Sequence, residues 1–322
     1  RTLTADLAKP CYRPRAVNIP VIRAAAAAML SASLLTGLAG IATPAPAEGA
    51  TCVNGWKEMW VPDSVFLSTP FEVLTRKGKE AWILGGTNGG VLALRRNGST
   101  WKRTATSTRG HRGLLGGAVL GDDRVLGVGY YRPYLGNGQG AMVPISGRVI
   151  KNDWKRRAVP DMPGPRATLT DVVSLSNGKA MAVGTRLQSG RLRATARFWN
   201  GSRWKTQDPA GGTGSGLLGI DRASNRTVWA VGWKESSLGR PRPYIVRRSG
   251  SSWKKHAAAA LPAGNAVLTS VDFRAGDDGY AVGYHAASGS DKNRAILMRW
   301  NGNKWSNVDL PWAADFQAIT RS

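Results

Sequence analysis

Apolar and polar positions along this chain repeat in one phrase: an apolar run, a tight polar turn, then a tryptophan followed by cations. It stands complete in "ARFWNGSRWKT", from Ala196 to Thr206. The same phrase appears as "RRNGSTWKR" at Trp101, "VIKNDWKRR" at Trp154, "FWNGSRWKT" at Trp204, "RRSGSSWKK" at Trp253 and "RWNGNKWSN" at Trp305, at spacings of 53, 50, 49 and 52 residues. A second marker keeps step with it. Apolar runs end on Gly85, Gly129, Gly184, Gly232 and Gly283, spaced 44, 55, 48 and 51 residues. Two independent markers with one period near fifty, and several short apolar runs per period, predict an all-β β-propeller built of four-stranded blades.

Each unit reads as four strands. The first is a half-apolar run such as "LTDVVSL" (169–175), "LLGIDRA" (217–223) or "LTSVDFR" (268–274), and the second is the run ending in "AVG". The third is an apolar run such as "AILMRW" (295–300), joined by an Asn-Gly or Ser-Gly turn to a fourth that begins at the tryptophan. Glycine in that turn allows the positive φ that a tight hairpin requires. A single blade cannot bury both of its faces, so the tryptophans are expected to cement each blade to its neighbour rather than to stack on a ligand.

The ends of the repeat suggest how it closes. "NGWKEMWVPD" (54–63) reads as an isolated fourth strand and "FQAITRS" (316–322) as an isolated first strand, together one split closing blade. The expectation is five complete blades plus that split one, six or seven in a full-length chain that is C-terminally truncated here. Residues 48–322 form the propeller segment. Residues 1–16 read as translated sequence upstream of the true start. Residues 17–47 read as a signal peptide, with the uncharged run Ala24–Ala42 behind Arg13, Arg15 and Arg23 and small residues at Ala45-Pro46-Ala47. A membrane anchor is the competing reading of that run, and its small-residue content favours cleavage. The expected location is secreted, extracellular or cell-wall associated. Cys52 is then the one cysteine of the mature chain and has no internal disulfide partner.

The pairing of "VWAVGW" (228–233) with hairpins such as "WNGSRW" (199–204) resembles the secreted repeat proteins of actinobacteria, whose units carry "DVWAVG" and "WDGTSW", and more distantly resembles kelch repeats. The resemblance spans about residues 52–322. It implies a propeller and export, and brings no uniform activity with it. "NGSTW" and "SGSSW" are also similar to the Asp-box hairpin of sialidases, but Arg96 and Arg248 stand at the aspartate position.

Charge adds a class of partner. The whole chain carries 45 Lys and Arg against 20 Asp and Glu, a formal charge of +25. Such a surface attracts anionic extracellular polymers or proteins, with peripheral association to the cell envelope. No recognised reading motif points to specific nucleic acid.

Propeller loops between second and third strands gather at one mouth, and here they read as long: 130–140, 185–194, 233–243 and 284–295. Each begins with an aromatic or polar residue and has a cation nearby. Tyr130, Arg132, Arg186, Trp233, Lys234, Tyr284 and His285 are therefore the candidate ligand-binding set, aromatic faces for sugar rings and cations for acidic groups.

An enzymatic alternative is a sialidase-like glycoside hydrolase or lyase. Asp221 and Asp272 fall at one equivalent position of adjacent units, the place that Thr75, Ser174 and Thr320 take in the others, and could form an acid/base pair. The three histidines, His111, His256 and His285, form no metal motif, and there is no G-x-S-x-G, so neither a metal, a cofactor nor a serine nucleophile is expected. The sequence thus favours a secreted, basic β-propeller acting as a binding or scaffold module.

Overall fold

The computed structural model describes residues 52–53, 56–57 and, with short interruptions at turns and loops, 68–310. A two-stranded hairpin, β1 (Cys52–Val53) and β2 (Trp56–Lys57), comes first. The first blade holds β3 (Ser68–Thr75), β4 (Ala81–Thr87), β5 (Gly90–Asn97) and β6 (Thr100–Arg103). In the second, β7 (His111–Gly121) and β8 (Arg124–Arg132) lead through a small hairpin, β9 (Tyr134–Leu135) and β10 (Gly138–Gln139), to β11 (Val143–Ile150) and β12 (Asp153–Arg157).

The third blade comprises β13 (Thr168–Ser174), β14 (Ala180–Gln188), β15 (Arg191–Trp199) and β16 (Trp204–Thr206). The fourth comprises β17 (Ser215–Ser224), β18 (Thr227–Glu235), β19 (Pro241–Ser249) and β20 (Ser252–His256). The fifth comprises β21 (Gly264–Ala275), β22 (Asp278–Ala287), β23 (Asn293–Trp300) and β24 (Trp305–Asn307).

Every blade is an antiparallel meander, and the first strands of neighbouring blades pack on one another, which puts them innermost and the fourth strands at the rim. This is the β-propeller. Blades one and two are further joined into one sheet where β4 pairs with β7, Gly86 opposite Gly113. The proposed split blade, 54–63 with 316–322, lies outside the described residues apart from Trp56–Lys57.

The core lies between blades. Four buried apolar clusters each draw on two consecutive sheets: Trp82 and Leu84 with Leu114 and Val125, Leu126 and Val128 with Leu169 and Trp204, Met181 and Val183 with Ile220 and Tyr244, and Trp229 and Ile245 with Met298 and Trp305. A two-faced sheet with alternating apolar residues can hide both faces only by stacking in this way.

The repeated tryptophans hold matching places. Each pairs with the end of its own third strand: Arg96 with Trp101, Val149 with Trp154, Trp199 with Trp204, Arg248 with Trp253 and Trp300 with Trp305. The rings of three also reach the preceding blade. Trp204 Nε1 donates to Ser146 Oγ on β11 at 2.9 Å, Trp253 Nε1 donates to the Gln207 carbonyl at 2.7 Å, and the Trp305 ring lies 5.6 Å from that of Trp229. The hairpin turns behave as their residues require. Gly201 and Gly302 take positive φ of 105° and 91°, while Asn200 Oδ1 and Asn301 Oδ1 each accept two backbone N–H groups across the turn.

The second marker has a different cause. In every blade the first strand carries a one-residue bulge directly beside the partner of the marker glycine, as between Leu169 and Asp171, Leu217 and Gly219, and Leu268 and Ser270. The bulge carries the first strand over the second, so that a Cβ on Gly184, Gly232 or Gly283 would stand 2.0–2.1 Å from the carbonyl oxygen of Thr168, Gly216 or Val267. The glycine that closes each "AVG" run is there because a bulge faces it.

Candidate functional site

The connections between second and third strands are shorter than the sequence pattern predicts. β14 and β15 run on through residues 185–194 as a hairpin closed by Ser189 and Gly190, both at positive φ, and β18 extends to Glu235 before β19 begins at Pro241. The alternation of that segment, with Leu187 opposite Leu192, continues the pairing past the polar residues that look like a loop. These hairpin ends lie with the linkers between blades. The Glu235 N–H donates to the Gly214 carbonyl at 2.8 Å, and Ser288 N–H to that of Ala263 at 3.3 Å.

Tyr130, Trp233 and Tyr284 occupy one structural position, the residue after the marker glycine, opposite Gly113, Gly216 and Val267 of the first strand. Two of the rings lie against that innermost strand. A Cβ on Gly113 would meet the Tyr130 ring at 2.9 Å and Phe71 at 3.4 Å; one on Gly216 would meet Trp233 Nε1 and Thr185 Cγ2, both at 2.7 Å. Each ring therefore sits half-buried between its own first strand and a side chain of the preceding blade. Thr185 and Gly86 hold the same place in blades three and one.

The cations of the candidate set have internal work. Arg186 Nη2 donates to Asp208 Oδ2 at 3.3 Å, and Lys234 Nζ donates to the Gly211 carbonyl. Arg132 ends β8 opposite His111. His285, on β22 opposite Ala266, is buried, and its Nε2 has no hydrogen-bond partner among the described residues.

Asp208 is the hub of this side. Its Oδ1 accepts from Thr195 Oγ1 at 2.6 Å, from the Ala196 N–H at 2.9 Å and from Nη1 of the fully buried Arg197 at 2.6 Å. Burial is the largest influence on its carboxyl and opposes ionisation. The bonds from Thr195 and Ala196 and the charge of Arg197 outweigh it together, and the pKa lies below the ordinary carboxylate value. Arg191 pairs similarly with Glu235, and the Arg112 guanidinium lies 4.4 Å over the Tyr131 ring.

Asp221 Oδ2 accepts the Phe273 backbone N–H of the next blade at 2.7 Å, and Asp272 is buried. The two do share an equivalent position, opposite Trp229 and Tyr280 respectively. Thr75 and Ser174 do not: their strands are shifted by one, and Leu74 and Val173 stand where the aspartates do, opposite Trp82 and Met181. That register place is apolar in those blades, and the polar residue follows one position later. No cluster of three His, Cys, Asp or Glu able to hold a metal occurs among the described residues.

No protein-family model and no curated protein matches the sequence. Solved structures similar to the chain include YCF48 from Cyanidioschyzon merolae, at 14% identity over 75% of this chain and 85% of that one, TM-score 0.42. A YCF48 bound to D1 peptide is 13% identical over 75% of this chain and 81% of that one, TM-score 0.40. A thermostable family-43 glycoside hydrolase is 8% identical over 76% of this chain and 95% of that one, TM-score 0.42.

Sequence reasoning missed Gly113 and Gly216, the two residues on which the aromatic rings rest. The signal was available: a glycine inside a strand marks a close approach. Asp208 and Arg197 left no comparable trace, because the bond between them depends on how the linker after β16 folds back along β15.

Proposed function

We propose that this propeller is a secreted binding module whose mouth, on the side of the second-to-third strand hairpins, holds an anionic extracellular glycan or wall polymer. The observation that carries the reading is the placement of Tyr130, Trp233 and Tyr284 at one equivalent position in three blades, half-buried on the innermost strands and beside cations. Half-exposed rings offer a face for sugar C–H groups. The neighbouring carboxylates Asp208 and Glu235 are each matched by arginine, so the surroundings stay cationic. The apolar run before Ala45 supports export, and the net charge supports retention on an anionic envelope. Binding is favoured over hydrolysis because Asp221, the first carboxylate of a possible pair, is engaged by the backbone of the next blade.

Calorimetric titration with an isolated acidic wall polymer tests this. Trp233→Ala and Tyr284→Ala should each weaken binding by tenfold or so, about the worth of one aromatic contact, and Arg132→Ala should weaken it more at low salt than at high. Affinity unchanged in both aromatic variants would sink the proposal.

A further inference from the structure

The outer strands carry a charge pattern separate from the mouth. The sequences of β6, β12, β16, β20 and β24 hold eight Lys and Arg against one acid, Asp153. The residue after each repeated tryptophan is Lys102, Lys155, Lys205 and Lys254 in four consecutive blades, and Ser306 in the fifth. All four lysines are exposed. Because they share one register place on the rim strand, the wheel repeats them around its outer edge.

In three of the blades a second cation stands across the strand pair, while Lys205 faces Phe198. Arg95 faces Lys102, Arg148 faces Lys155 and Arg247 faces Lys254, cation directly opposite cation. Like charges in that relation destabilise a sheet. Burial, then the charges of Arg157 and Arg124, lower the pKa of Arg148. The arginines have structural work, Arg95 pairing with Glu80 at 2.9 Å and Arg148 and Arg247 lying 5.8 and 5.6 Å over the rings of Trp199 and Trp229, but Ser306, opposite Arg299, shows that the fold accepts a neutral residue at the lysine place. Of the adjacent tryptophans, Trp204 and Trp305 are buried and Trp101, Trp154 and Trp253 half-buried, so the exposed feature that the rim strands repeat is the lysine.

We propose that the rim is a second interaction surface, an arc of regularly repeated lysines that takes a linear phosphate-bearing polyanion by charge and spacing alone. Lysine contacts phosphate as a point charge. A chain long enough to pass from blade to blade engages successive lysines and releases its counterions, so affinity depends on chain length and falls steeply with salt. The surface is distinct from the aromatic mouth and does not depend on it.

The test uses inorganic polyphosphate of graded lengths, with binding followed against salt concentration. The wild-type protein should bind long chains better than short ones. The variant Lys102→Ser, Lys155→Ser, Lys205→Ser, Lys254→Ser should lose most of that preference, and the slope of log affinity against log salt should shrink by about one per lysine. The exposed positions and the serine of blade five make that variant compatible with folding, which the melting temperature checks. A charge-matched control, Arg203→Ser, Arg226→Ser, Arg274→Ser, Lys304→Ser, removes four exposed cations in or beside turns, off the rim strands, and should retain the length preference. Trp233→Ala should retain it too, which separates this surface from the mouth. Equal losses in the rim variant and the charge-matched control, or a wild-type protein indifferent to chain length, would overturn the proposal.

Discussion

The carboxylate of Asp221, on the first strand of blade four, accepts the backbone N–H of Phe273, on the first strand of blade five, across 2.7 Å. Asp171 does the same one blade earlier, its Oδ2 accepting the Ile220 N–H at 3.0 Å while its Oδ1 takes Val172 N–H at 2.7 Å. These acids staple the innermost strands, where polar backbone must be satisfied next to the axis. Asp221→Ala should therefore lower stability by about 1–3 kcal/mol in urea denaturation, the cost of stranding a partly buried donor. A variant as stable as the parent would show that the staple contributes nothing.

The rim tryptophans should show a graded dependence on burial. Trp204→Ala empties a site that is 3% exposed and should cost about 3–5 kcal/mol. Ser146→Ala, which removes only the acceptor of the Trp204 indole N–H, should cost about 1 kcal/mol. Trp101→Ala, half-exposed, should cost less than Trp204→Ala. Equilibrium unfolding of the three variants gives the order directly.

The marker glycines make a sharper contrast. Gly184→Ala forces a Cβ to within 2.0 Å of the Thr168 carbonyl oxygen, and Gly190→Ala places one in open space at φ of 75°. The second change should cost about 1–2 kcal/mol from backbone conformation alone. The first must displace a bulged strand and should exceed it. Thermal melts that rank Gly190→Ala as the worse of the two would remove the bulge explanation.

Acidification should destabilise the interface between blades four and five before the rest. The His256 ring lies 4.6 Å from that of Trp229 and 5.6 Å from that of Trp300, and burial, followed by the charges of Arg247 and Lys254, lowers its pKa from 6.5. With the folded pKa below the unfolded one, the unfolded chain binds the proton first. Stability is complete above pH 6.5 and drains as pH falls towards the lower folded value. His256→Phe keeps a ring against Trp229 and should flatten that part of the stability profile. Asp208, also depressed, adds a second loss with the same sign: its contribution is present above the ordinary carboxylate value of 3.8 and is lost as pH falls through its folded pKa. Asp208→Asn should remove this second step while leaving the first.

Much of the architecture could be read from local chemistry. The turn before Trp204 needs Asn200 to hold its backbone N–H groups and Gly201 to take a positive φ, and both requirements act within a few residues. The candidate site was legible only in part. Tyr130, Trp233 and Tyr284 stood out because they follow the marker glycine, but the internal partners of Arg186 and Lys234 lie in a linker more than twenty residues away.

By itself the sequence determined the strands, their number per unit and the places of the repeated indoles, because alternation, turn chemistry and period are short-range properties that the chain carries wherever it folds. The tertiary structure alone decided which carboxylates staple neighbouring blades, why glycine must face each bulge, and that Leu74 and Val173 rather than Thr75 and Ser174 share the place of Asp221. Those outcomes depend on pairing register and on contacts between sheets. A shift of one residue exchanges the two faces of a strand, while its pattern of apolar and polar residues still looks plausible.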